Sequence, residues 1–126
     1  MAARSTQITI INGTECQMQY KSSHLSHGVW NGGPDINVEP GSIRVVAQND
    51  SDGLATGAEG WISYDLVYDQ GGEPIGSVKI NWDNPFVGSN EYSSAVAGPG
   101  FAICYCGKTG SGDNAEVTFM ICQASR

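Results

Sequence analysis

Two stretches decide the fold: residues 60–68, GWISYDLVY, and residues 75–82, IGSVKINW. In each, apolar side chains recur at every second position, which is the period of a β-strand with one buried face. The alternation puts Trp82 on the buried face of its strand and Trp61 on the outward face of the other. A turn separates the two stretches, so they are predicted to be a pair of half-buried strands.

The same pattern predicts further strands at residues 7–11, 16–20, 36–38, 42–47, 101–106 and 116–122. The turn Glu39-Pro40-Gly41 should join the third and fourth of these as a hairpin, and a glycine-rich stretch should join the last two. Residues 48–60 lose all periodicity and are predicted to be a long surface loop. Loops of that length are usually functional or mobile.

No segment has the three-and-four spacing of an amphipathic helix, whereas 17 Gly and 5 Pro are scattered between the short apolar runs. A chain of 126 residues is long enough for one core and too short for two, so residues 1–126 should form a single domain. Roughly eight or nine short strands in such a domain favour an all-β fold, either an antiparallel β-sandwich or a barrel.

The charge balance excludes several classes of partner. Six basic and thirteen acidic residues give a formal charge of -7, which repels nucleic acid and disfavours docking on anionic lipid through a basic patch. No apolar run is long enough to span a bilayer, and no apolar leader precedes the first strand. We therefore expect the chain to be made without a signal peptide and, where it acts outside its cell, to leave by another route.

Candidates for chemistry are weak. The stretch GKTGSG has the letters of a phosphate loop but joins two strands, and no nucleophile accompanies a base. A metal site would need His24 and His27 with some of the four cysteines, yet paired CxxC or CxH units are missing. Disulfides or reduced thiols are the better interpretation; Cys104 and Cys122 are a plausible cross-strand pair, although several registers preserve the same faces.

Residues 81–93, NWDNPFVGSNEYS, place Phe86 and Tyr92 in a polar loop that directly follows the strand ending at Trp82. A loop that only reverses the chain has no use for several aromatic residues. Trp30 lies between glycines, where periodicity is uninformative. Aromatic side chains with a polar atom suit a membrane interface or the face of a sugar, and alternatively they cap a core.

These residues resemble a known family. The run Trp82-Asp83-Asn84-Pro85-Phe86, followed by Gly88, Ser89, Asn90 and Tyr92, looks like the aegerolysins, as do Thr56-Gly57-Ala58-Glu59-Gly60 and the opening Ala3-Arg4. The resemblance covers nearly the whole chain. It is closest to the small components of bacterial two-protein insecticidal toxins, from which the cysteines depart.

The resemblance implies an actinoporin-like β-sandwich without enzymatic activity or cofactor. It implies binding of membrane sphingolipids, such as ceramide phosphoethanolamine or sphingomyelin with cholesterol. It further implies recruitment of a larger pore-forming partner, either perforin-like or a lectin-like β-rich toxin, and cytolysis at the target-cell membrane. Family lipid contacts correspond to Trp30 and to residues 82–86, whereas Trp61 has no clear family counterpart.

The predicted lipid and headgroup site therefore consists of Trp30, Trp61, Trp82, Asp83, Asn84, Phe86 and Tyr92. Asp83 and Asn84 would hydrogen-bond the headgroup, and the aromatic residues would supply apolar surface. The alternative is a carbohydrate-binding β-sandwich that uses the same residues. A homo-oligomer is left open, because sheet edges and aromatic rims can self-associate.

Overall fold

A computed structural model describes residues 3–68, 71–109 and 113–124. The described residues form nine strands: β1 (Ser5–Gly13), β2 (Gln17–His27), β3 (Val29–Trp30), β4 (Ile43–Asp50), β5 (Ala58–Val67), β6 (Gly76–Asn84), β7 (Glu91–Ala97), β8 (Phe101–Thr109) and β9 (Asn114–Gln123). Within these ranges no helix has the length and apolarity needed to cross a membrane.

The strands form two sheets, one of five strands in the order β3-β4-β1-β9-β8 and one of four in the order β2-β5-β6-β7. This confirms the predicted all-β sandwich. One pairing differs from the antiparallel expectation, since the first and last strands, β1 and β9, run parallel from Ser5↔Asn114 to Gly13↔Cys122. A parallel pair needs a long connection, and here almost the whole chain supplies it.

The core lies between the sheets and follows the predicted alternation. Along β5 the even-numbered residues from Ala58 to Leu66 are buried, and along β6 the same holds from Val78 to Asn84. Trp82 is 1% exposed and Trp61 lies on the outer face, so the predicted faces of both tryptophans are confirmed. Neighbouring core residues include Ile8, Ile10, Met18, Tyr64, Phe119 and Ile121.

The predicted hairpin around Glu39-Pro40-Gly41 is wrong. Val38 lies outside any strand and forms an isolated bridge with Met18 of β2. The Val38 N–H and carbonyl both hydrogen-bond Met18 in the four-stranded sheet, and the chain then passes to β4 in the other sheet. The predicted loop at residues 48–60 is also shorter, because β4 continues to Asp50 and β5 begins at Ala58.

The hairpin between β8 and β9 is confirmed, with a register shift between Ile103 and Tyr105. That shift interrupts the alternation of side chains along β8 next to Cys104, and the predicted cross-strand pair of Cys104 with Cys122 depended on that alternation. Cys122 is disulfide-bonded. The side chain of Cys104 lies outside the described part of the structure, so its pairing with Cys122 stays a prediction. Cys16 is fully buried in the core.

Candidate functional site

The predicted site residues gather near one end of the sandwich, where residues 51–57 join β4 to β5 and residues 85–90 join β6 to β7. The two loops pack backbone to backbone: a Cβ at Gly57 would lie 2.7 Å from the Asn84 carbonyl oxygen and 2.9 Å from the Pro85 Cα. Only glycine permits this approach. We call the two segments together the loop pair.

Arg4 connects both loops to the start of β1. Its backbone N–H donates to the Ser51 Oγ at 3.0 Å, and the Ser51 N–H donates to the Arg4 carbonyl at 2.8 Å. Its guanidinium donates to the Phe86 carbonyl at 2.9 Å, lies 5.0 Å from the centre of the Phe86 ring, and pairs with Asp113 at 3.0 Å. Arg4 therefore holds the loop pair in one arrangement.

The loop pair presents apolar side chains to solvent. Leu54 is 96% exposed, Val87 82% and Phe86 42%. The sequence indicated Phe86 but missed Leu54 and Val87, because a single apolar residue in a polar loop leaves no periodic signal. Exposed apolar side chains on neighbouring loops mark an interaction surface.

Trp30 is anchored beneath this surface by Trp82 and Asn49. The Trp82 Nε1–H donates to the Asn49 Oδ1 at 2.9 Å, and the Asn49 amide donates to the Val29 carbonyl at 3.3 Å. The two indoles meet edge to face, with ring centres 5.9 Å apart. Trp82 is thus a core residue that positions the half-buried Trp30, and its own ring is shielded from solvent.

Asn84 is also buried, at 1% exposure. Its amide nitrogen donates to the Ser5 and Asp113 carbonyls, both at 3.0 Å, which connects the end of β6 to the opposite sheet. Its Oδ1 has no hydrogen-bond partner among the described residues. The side chain that the sequence assigned to a headgroup therefore serves in this conformation as a link between the sheets.

Trp61 and Asp83 line a groove of about 530 Å³ on the outside of the four-stranded sheet, whereas Tyr92 borders this groove but packs against the core beside Trp82. Asp83 lies between Glu59 and Glu91 on the neighbouring strands, so three carboxylates stand side by side next to the loop pair. His27 Nε2 approaches the Glu59 carboxylate at 3.6 Å.

The structure thus separates the seven predicted residues into three groups. Phe86 lies on the loop pair, Trp61 and Asp83 line the outer groove, and the other four pack against or within the core: Trp30, Trp82, Asn84 and Tyr92. Within the described residues, no group of three or more His, Cys, Asp or Glu side chains has the arrangement of a metal site.

The aegerolysin family model matches residues 3–124. The chain belongs to the aegerolysin family. This aegerolysin matches no curated protein sequence significantly.

Among solved structures, the crystal structure of the lipid-binding protein Nakanori is similar, with a TM-score of 0.74, 14% identity, and coverage of 98% of this chain and 73% of Nakanori. The RahU protein, solved in complex with a Tris molecule, has a TM-score of 0.68 and 17% identity, with coverage of 100% and 99%. At these identities the likeness shows that the aegerolysin shares their fold.

Proposed function

We propose that this aegerolysin is a non-enzymatic protein that binds membrane lipid through its loop pair. The observation that carries the proposal is the exposure of Leu54, Phe86 and Val87 on two loops whose backbones are held together by Arg4. Apolar side chains held in this way can enter a bilayer surface without an ordering cost at the moment of binding. Membership of the family supports the proposal.

The expected affinity is modest. Burying a Leu, Val or Phe side chain completely contributes about 1.5–3 kcal/mol, and these side chains would enter the interface only in part. Attachment should therefore be reversible and amount to a few kcal/mol. The net charge of -7 favours zwitterionic over anionic headgroups.

The proposal also specifies the class of lipid headgroup and the partner protein. The carboxylates of Glu59, Asp83 and Glu91 lie beside the loop pair and would attract the ammonium of a phosphoethanolamine or phosphocholine headgroup. Sphingolipids carry such headgroups, in agreement with the family resemblance. Bound at a target-cell membrane, the protein would recruit a larger pore-forming partner to complete a cytolytic or insecticidal pair.

Liposome sedimentation tests the lipid-binding proposal. Vesicles would differ only in headgroup: phosphatidylcholine, sphingomyelin with cholesterol, and ceramide phosphoethanolamine. We expect selective pelleting with at least one sphingolipid and no dye release by this protein alone. Failure to bind all three would overturn the proposal, and dye release without a partner would overturn the receptor role.

A matched pair of double variants locates the contact. Leu54→Ser with Val87→Ser should weaken liposome binding at least tenfold, because both side chains are exposed in the free protein and lose their transfer to lipid. Ile43→Ser with Val45→Ser is the control, since these residues are 65% and 49% exposed on the outside of the other sheet. Equal binding by the two double variants would exclude the loop pair as the contact.

A further inference from the structure

The outer face of the four-stranded sheet carries a second surface with different chemistry from the loop pair. Trp61 lies between two adjoining grooves, the acidic one of about 530 Å³ and a second of about 370 Å³ that continues along the strands toward Ser77. Both grooves are lined by Trp61 and lie on the same face of the sheet, and we call the two together the outer trough.

Strand register gives the length of the outer trough. Successive outward-facing rows contain Asp83, Asn81, Lys79 and Ser77 of β6, each paired with β5 and β7. Rows two residues apart are separated by roughly 7 Å, so the trough extends on the order of 20 Å from the loop pair. A phosphoethanolamine or phosphocholine group would occupy only the first row.

The lining combines one aromatic plane with many hydrogen-bonding groups. Trp61 has the Asn81 amide beside it, with the Ser93 hydroxyl beyond Asn81 in the same row and the Ser63 hydroxyl in the next row. On β7 the outward side chains beyond Ser93 are Ala95 and Ala97, which leave that side open. A sugar ring has an apolar face and a rim of hydroxyls, which this lining complements.

Two side chains, Lys79 and His24, already lie against the Trp61 indole. The Lys79 ammonium lies 4.4 Å from the indole centre, and the His24 ring centre lies 6.4 Å away at a tilt of 35°. An exposed cation–π contact is worth only about 0.5–1 kcal/mol, so a sugar face can displace the ammonium. The released ammonium then becomes a donor for sugar hydroxyls.

The charges of the outer trough restrict the ligand. Glu59, Asp83 and Glu91 occupy the end nearest the loop pair, and the Lys21 ammonium lies 3.8 Å from the Asp65 carboxylate. Sialylated or sulphated glycans would meet these three neighbouring carboxylates at that end. The surface therefore fits a neutral glycan.

We propose that the outer trough binds a neutral oligosaccharide, with Trp61 as the stacking platform. Because the trough begins beside the loop pair, a glycan linked to a membrane lipid could lie along it while the loop pair contacts the bilayer. This placement relative to the membrane rests on the proposed lipid-binding function, whereas glycan binding itself does not.

A panel of soluble neutral and sialylated oligosaccharides tests the inference with the intact protein. We expect binding of at least one neutral glycan, and at least a tenfold loss in Trp61→Ala. Ala95→Leu, which adds bulk at an exposed trough position, should cause a similar loss without removing any native contact and should leave binding to glycan-free sphingolipid vesicles unchanged. Ile43→Ala on the other sheet is the control.

Five outcomes are informative. Glycan binding that survives Leu54→Ser with Val87→Ser supports the trough even where lipid binding fails. Stronger attachment to vesicles carrying the same glycan on a lipid supports a glycolipid source, and equal recognition of the glycan on a protein supports a glycoprotein source. Binding of no neutral glycan, or equal glycan binding by wild type, Trp61→Ala and Ala95→Leu, would overturn the inference.

Discussion

Phe86→Ala separates a lipid-contacting role from a role in capping the core. Phe86 is 42% exposed, so a little more than half of it is buried. Complete burial of Phe contributes about 1.5–3 kcal/mol, which makes the lost burial worth about 1–1.5 kcal/mol. Loss of the Arg4 stacking adds about 0.5–1 kcal/mol, whereas the Arg4 bond to the backbone carbonyl of residue 86 remains.

The expected fall in the free energy of unfolding is therefore about 1.5–2.5 kcal/mol, measured by urea denaturation. Liposome affinity of the folded variant should fall roughly tenfold, because the exposed part of the ring no longer enters the bilayer. Val45→Ala on the far sheet is the control. A loss of about 3 kcal/mol or more, with unchanged liposome affinity, would refute the reasoning and identify Phe86 as a core cap.

Three further predictions concern the supporting structure. Trp82→Phe should lower the free energy of unfolding by at least about 1–3 kcal/mol in urea denaturation, because the buried Asn49 Oδ1 loses its donor; an unchanged value would contradict this. Arg4→Gln should speed hydrogen exchange at backbone amides of residues 86–90, since the contacts to Phe86 and the ion pair are lost while the backbone hydrogen bonds to Ser51 remain; unchanged protection there would exclude the Arg4 guanidinium as a support of that loop. Burial, with a smaller contribution from nearby Tyr20, raises the pKa of Tyr64; the free energy of unfolding is therefore insensitive to this group below the ordinary tyrosine value of about 10 and falls as pH rises above it. Tyr64→Phe removes a buried hydroxyl that lacks a partner among the described residues, so it should unfold at a higher pH and be more stable by about 1 kcal/mol at pH 7; lower stability at pH 7 would indicate a hydrogen bond to that hydroxyl.

Local alternation predicted a large part of the fold. The faces of Trp61 and Trp82 could be assigned because a strand sends successive side chains to opposite faces, and this rule needs no knowledge of the partner strand. By contrast, β7 was missed because EYSSAVA is mostly small and polar, and its inward-facing Tyr92 and Val96 lie too far apart to show a period. Of the apolar side chains exposed on the loop pair, the sequence indicated Phe86, whereas Leu54 and Val87 carried no local signal.

What the sequence by itself determined is the β class of the protein, the buried faces of its central strands, and the family it belongs to. Those properties follow from short-range periodicity and from one contiguous motif around residues 82–92. Only the tertiary structure decided that β1 lies parallel to β9, that Asn84 connects the sheets instead of facing a headgroup, and that Arg4 holds two distant loops together. Each of these three features includes a contact between groups about 80 residues or more apart in the chain. Such long-range pairings are selected by the packing of the whole core.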